Sequence, residues 1–146
     1  MSIYSAKALT PDSGLRTGDI GFMDEYGRVT LNDRKKQLIK VKGYSVFPIE
    51  VERLMGAHDA ILEIAVAGLP DQETGEAIKA WVVLKDSWKG KISEDLKNWA
   101  RQNITHYKVH KYSAFCDEIP KSLVGKVLRR QLQESDPLYK AHRKST

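Results

Sequence analysis

A lysine follows a glycine in the run Pro120-Lys121-Ser122-Leu123-Val124-Gly125-Lys126-Val127-Leu128-Arg129-Arg130. An ammonium on such a loop can meet a phosphate or carboxylate oxygen and stabilise charge that develops there, often the largest single contribution to catalysis. The run is not a phosphate-binding P-loop. That motif needs glycine where Pro120 stands and Ser or Thr where Val127 stands. Far upstream lie two further stretches of suitable chemistry. In Thr17-Gly18-Asp19 the carboxylate of Asp19 can accept both hydroxyls of a ribose. In Asp33 to Tyr44, the planar and permanently charged Arg34 can pair with a phosphate or ribose. Lys36 sits in a basic junction that needs only to absorb a backbone rotation. Gly43 follows the alternating Lys40 and Lys42, and a backbone without a side chain lets a ligand approach closely. Taken one at a time, each of these residues reads first as part of a turn or a solvated surface.

Other candidates are weaker. His106 and His110 are spaced as metal ligands on a helix, but Tyr107, Lys108 and Lys111 beside them add no acidic or thiol ligand, and no metal site is expected. His58 and His142 are isolated. Cys116 falls in an apolar stretch and reads as core rather than nucleophile. A single cysteine excludes an internal disulfide and a cysteine metal cluster.

Composition frames these candidates. The 146 residues are 41% hydrophobic and 29% charged, the balance of a globular chain with one ordinary core. The formal charge of +5 suits anionic ligands such as nucleotides, CoA or a membrane surface. Lys and Arg are spread along the chain without a reader motif, so nucleic acid is not expected as a partner. No apolar stretch approaches the roughly 20 residues of a membrane helix, and peripheral membrane association stays open. The start of the chain lacks the pattern of a signal peptide, so a cytoplasmic protein is expected.

The elements that must position these residues can be read from periodicity and turn chemistry. Asp19–Met23 and Arg28–Leu31 predict two short strands around a turn at Asp24–Gly27. Leu38–Val41 and Tyr44–Phe47 predict a second hairpin around Lys42-Gly43. Pro48 opens a helix to about Gly56, with Val51, Leu54 and Met55 on its apolar face. Strands follow at 61–69 and 77–85, then a helix capped by Ser93 with Leu96, Trp99 and Ala100 inward. A strand at 113–119, a loop at 121–126 and a helix from Val127 to about Ser135 complete the order. Strands alternating with helices from residue 38 predict an α+β domain: a small mixed β-sheet of about three main strands, flanked by helices and preceded by a β-hairpin.

Together the three stretches resemble the C-terminal end of the adenylate-forming superfamily: acyl-CoA synthetases, luciferase-like enzymes and adenylation domains. Arg16-Thr17-Gly18-Asp19 resembles its ribose-binding motif. Asp33 to Glu52 resembles its hinge motif, down to the Pro48, Glu50, Glu52 ending. Pro120-Lys121 with Gly125-Lys126 resembles its catalytic-lysine motif. The resemblance implies that Asp19 holds the ribose of ATP, Arg34 contacts the nucleotide and Lys36 is the hinge. It also implies that Gly43 lines the pantetheine tunnel with Lys40 nearby, and that Lys126 bridges carboxylate and phosphate. Residues 1–16 would be a flexible lead-in, 17–33 a hairpin from the end of the large domain, 34–135 the mobile lid, and 136–146 a fraying basic tail.

The implied reaction joins a fatty acid of medium or long chain to CoA through an acyl-adenylate, using ATP and Mg2+. The large N-terminal adenylating domain, with its phosphate loop, acyl pocket and magnesium ligand, has no counterpart in these residues. The resemblance therefore implies a lid fragment that binds no cofactor tightly and does not turn over alone. A stand-alone nucleotide- or partner-binding module of the same fold, or a lid from a ligase for another acid, are the alternatives.

Overall fold

A computed structural model describes residues 8–90 and 94–145. The chain divides into two compact units, one ending at Gln37 and one beginning at Leu38.

In the first unit, β1 (Asp19–Met23) and β2 (Val29–Arg34) pair antiparallel. Asp24 builds the turn between them: one carboxylate oxygen accepts the backbone N–H groups of Tyr26 and Arg28, and the other meets Arg28 Nε at 2.7 Å. Gly27 takes φ +78°, the left-handed geometry such a turn needs. A bulge lies between Ile20 and Gly21. A side chain at Gly21 would lie 2.4 Å from the Thr30 carbonyl, so only glycine fits. Phe22, Met23, Val29 and Leu31 all stay exposed. Within the expected lead-in, residues 8–16 fold back on themselves through a Leu9–Leu15 bridge.

The second unit is a five-stranded mixed sheet in the order β4-β3-β6-β5, with β7 parallel to β6. Its strands are β3 (Ile39–Val41), β4 (Tyr44–Val46), β5 (Ile61–Asp71), β6 (Gly75–Leu84) and β7 (Tyr112–Phe115). The long β5–β6 ribbon dominates it. Ile78, Ala80, Val82 and Leu84 face one core, with Val51 and Met55 of α1 (Pro48–Met55) and Leu96 and Ala100 of α2 (Glu94–Asn103). Trp81 and Val83 face the other, with Ala65, Leu69 and Leu132 of α3 (Arg129–Ser135). Burial on both faces explains why β6 reads as a nearly unbroken apolar run rather than an alternation. The short β3 and β4 and the brief β7 join the β5–β6 ribbon in the small mixed sheet that the sequence predicts.

Three boundaries differ from the sequence reading. β7 ends at Phe115 rather than Ile119. The last helix of the lysine run begins at Arg129, because a Lys121–Val127 bridge and the Leu128 N–H on the Pro120 carbonyl hold 126–128 extended. The segment expected to fray instead forms α4 (Pro137–Ser145). Asp136 explains it: one oxygen caps the Leu138 N–H at 2.9 Å and the other pairs with Lys79. Pro137 sits where a helix tolerates it, and Tyr139 packs on the second core. The Ser93 cap lies outside the described residues.

Candidate functional site

The lysine loop is a closed turn on a braced base. At its tip the Ser122 N–H donates to the Lys126 carbonyl at 2.8 Å, and the Gly125 N–H donates to the Ser122 carbonyl at 2.9 Å. The Lys126 N–H donates to Ser122 Oγ at 3.2 Å. Gly125 takes φ +82°, which lets the chain reverse. On the entering side, Lys121 Nζ meets Glu63 of β5 at 2.8 Å. On the leaving side, Arg129 donates both to the Glu52 carboxylate, at 2.7 and 2.8 Å, and to the Val66 carbonyl at 3.0 Å. Glu52 also accepts the Val66 N–H at 2.8 Å. This forked pair is nearly buried and ties α1, β5 and α3 together. Lys126 itself is exposed and has no ion pair among the described residues. An unengaged ammonium on a rigid turn is suited to meeting an external anion.

Asp19 and Arg34 come together in the first unit. They are register partners of β1 and β2, and Arg34 Nε lies 3.1 Å from the Asp19 carboxylate. Arg34 also donates to the Thr17 carbonyl at 3.3 Å, and the Asp19 N–H donates to Thr17 Oγ1 at 3.2 Å. The carboxylate and guanidinium thus share one hairpin end, a combination that suits a ribose next to a phosphate. Lys36 lies exposed in a single 3₁₀ turn, Lys35–Gln37, at the division between the two units.

Gly43 and Lys40 occupy the β3–β4 hairpin. Lys42 and Gly43 have φ +49° and +83°, the two left-handed positions of a tight hairpin turn. The Lys42 N–H donates to the Thr74 carbonyl, and Lys40 Nζ donates to Ser45 Oγ. Beside the turn, Tyr44 stacks on Tyr107 with ring centres 4.5 Å apart. A cleft of about 240 Å³ opens there, lined by Lys42, Tyr44, Thr74, His106 and Tyr107 among others. Lys111 at its edge pairs with Asp71 at 2.8 Å and Glu73 at 3.2 Å. Hydrogen bonds from Lys111 and then Thr74 hold Asp71 down at about 2, and hydrogen bonds to Asp71 and then Glu73 raise Lys111.

The lysine loop and the Gly43 hairpin lie at opposite ends of the β5–β6 ribbon. Lys121 is anchored near the start of β5, at Glu63, and Lys42 on the turn beyond its end, at Thr74. At about 3.3 Å per residue, Glu63 and Asp71 are roughly 26 Å apart along the strand.

The other candidates resolve differently. His106 lies in a 3₁₀ turn, whereas His110 is 1% exposed and both its ring nitrogens lack hydrogen-bond partners among the described residues. Burial, helped by Lys97 and Arg101, pushes His110 down to about 4. Among the described residues no cluster of His, Cys, Asp and Glu could hold a metal ion. Cys116 is half-buried against the second core, and burial pushes its thiol up, which disfavours the nucleophilic thiolate. No described helix is long and apolar enough to cross a membrane. The braces at Glu63, Lys121 and Arg129 escaped the sequence reading. Arg129 one turn after Lys126 was the available signal, but nothing local names its distant partner.

The chain has relatives among known proteins. The family described as AMP-binding enzyme C-terminal domain matches residues 50–126, more than half of the chain. The long-chain-fatty-acid–CoA ligase of Bacillus subtilis is 47% identical over 129 residues, 88% of this chain and 23% of that protein. The Yersinia pestis protein of the same name is 45% identical over 86% of this chain and 22% of its own length. Among solved structures, ATP-bound MatB from Rhodopseudomonas palustris matches 95% of this chain and 28% of that one, with 28% identity and a TM-score of 0.86. The chain thus spans under a quarter of the curated relatives it matches. It belongs to the family of AMP-binding enzyme C-terminal domains.

Proposed function

We propose that this chain is the mobile lid of an ATP-dependent long-chain fatty-acid–CoA ligase. The observation that carries the reading is the placement of Lys126 and Gly43 at opposite ends of one rigid ribbon. A single small domain can then offer two faces in turn to one pocket. The reading draws its acid substrate from the relatives named above.

In the first half-reaction the fatty-acid carboxylate attacks the α-phosphorus of ATP. The bond to pyrophosphate breaks, and an acyl-adenylate forms. Negative charge accumulates on the oxygens between carboxylate and phosphate, where the Lys126 ammonium lowers its energy. Asp19 accepts the ribose hydroxyls, and Arg34 beside it faces the nucleotide. Mg2+, as the counter-ion of ATP, would neutralise phosphate charge. Among the described residues no cluster of His, Cys, Asp and Glu could hold the ion.

The lid then turns at Lys36, and the Gly43 hairpin replaces the lysine loop. With no side chain at Gly43, the pantetheine arm passes close to the backbone, with Lys40 nearby. The CoA thiolate attacks the acyl carbonyl, the thioester bond forms, and AMP leaves with the electron pair of the acyl–phosphate bond. The chain alone lacks the pocket for either step and is expected not to turn over. The exposed Phe22, Met23, Val29 and Leu31 of the hairpin disfavour a stand-alone module, since water-facing apolar strands call for a covering partner. With ATP and CoA as co-substrates, we assign the ligase to the cytoplasm.

The test is Lys126→Ala in the full-length ligase. Acyl-adenylate formation is expected to fall about 10²–10³-fold, as for loss of one charge-stabilising donor. Conversion of supplied acyl-adenylate to acyl-CoA is expected to survive. Equal loss of both steps would contradict the assignment.

A further inference from the structure

Leu123 and Val124 are the most exposed large apolar side chains among the described residues, at 108% and 81%. Both stand at the tip of the lysine turn, immediately before Gly125 and Lys126. Turn tips ordinarily carry Gly, Pro, Asn, Asp or Ser, each suited to the geometry or to water. A leucine and a β-branched valine satisfy neither need, and nothing among the described residues covers them. A polar tip would present Lys126 equally well. The pair therefore answers to something outside the described residues.

We propose that Leu123 and Val124 are positioning residues for adenylation, an apolar foot that seats the lysine loop on the large adenylating domain. The occupant follows from the geometry of the turn. Ser122 and Lys126 are joined by backbone and side-chain hydrogen bonds, and Gly125 donates back to Ser122. The braces at Lys121–Glu63 and Arg129–Glu52 hold the stem below. A turn closed in this way moves as one piece. Lys126 cannot reach an ATP-bound pocket while Leu123 and Val124 remain in water, so the surface they meet is the rim of that pocket. Such a domain has room in the relatives, of which this chain spans 22–23%. The foot makes no contact with the reacting atoms. It acts by holding the ammonium in register with them, where a small misplacement costs a large factor in rate.

This inference rests on the ligase reading, and Lys126→Ala serves as its reference. The double variant Leu123→Ser/Val124→Ser in the full-length ligase is expected to lower single-turnover acyl-adenylate formation about 10- to 100-fold. The KM for ATP and the rate of acyl-CoA formation from supplied acyl-adenylate should stay within twofold of wild type. The melting temperature should not change, because neither side chain packs on the fold. Leu123→Met/Val124→Ile, which keeps the apolar foot, should restore adenylation. Near-normal adenylation in the serine variant, beside a strongly impaired Lys126→Ala, would overturn the foot and leave the ligase reading standing. So would equal loss of both half-reactions, or loss only of sedimentation with anionic phospholipid vesicles. An unimpaired Lys126→Ala would overturn both.

Discussion

At the scale of single residues, two side chains defy their surroundings. Among the described residues Lys126 makes no ion pair at the surface, whereas His110 is a polar ring sealed in the interior with no partner for either nitrogen. His110 has a measurable consequence. An imidazole in the unfolded chain titrates near 6.5, and in the fold burial, then Lys97 and Arg101, lowers it to about 4. Between those values the unfolded chain takes up a proton that the folded chain refuses. The stability linked to neutral His110 is therefore complete above about pH 6.5 and is lost as pH falls to about 4, a change of roughly 3 kcal/mol. His110→Leu removes both the titration and the orphaned nitrogens. Urea unfolding at pH 7 is expected to show a gain of about 1–2 kcal/mol. The difference from wild type should widen as pH is lowered toward 4. A variant no more stable than wild type, with the same pH slope, would contradict this account.

At the scale of elements, ion pairs connect parts of the sheet and helices that lie far apart in sequence. Lys79 and Asp136 join β6 to the start of α4, with side chains 12% and 2% exposed. Asp136→Ala removes both that pairing and the cap, and it leaves the Lys79 ammonium buried without its partner. A loss of about 3–5 kcal/mol is expected, with amide exchange accelerated over 137–145; unchanged protection there would mean that α4 holds by Tyr139 packing alone. These pairings also show where sequence reading stops. The Asp24–Gly27 turn, the Lys42-Gly43 hairpin and the Pro48 helix start are local, set by backbone preferences within a few residues, and each was legible. The doubly buried β6 was visible as an apolar run. The fourth helix was not, because its composition is polar and its anchor is a single aspartate whose partner lies on a distant strand. The onset of α3 was misplaced for a different reason: the Lys121–Val127 bridge and the Leu128 N–H on the Pro120 carbonyl close the turn and hold 126–128 extended, which the apolar spacing of Val127 and Leu128 does not reveal. At the site, Asp19, Arg34, Lys36, Gly43 and Lys126 were named from residue type and motif order. Their grouping was not legible. Only the hairpin register pairs Asp19 with Arg34, and only the direction of β5 separates the lysine loop from Gly43.

At the scale of the whole molecule, the fold is organised as a rigid ribbon with a different chemical device at each end. The lysine end offers a charge on a braced turn, and the glycine end offers bare backbone next to stacked tyrosines. On the proposed reading, a lid built this way would give one pocket two chemistries without rebuilding the pocket. The central claim is that each end serves one half-reaction, and the most direct test compares Lys126→Ala with Gly43→Leu in the full-length ligase. A Cβ at Gly43 would meet no described atom within 4 Å, so a side chain there starts in open space; its left-handed backbone costs about 1–2 kcal/mol. The measurement is the single-turnover rate of each half-reaction for both variants. The account expects Lys126→Ala to lose acyl-adenylate formation and keep thioester formation, and Gly43→Leu to do the reverse. Two variants that slow the same step would contradict it.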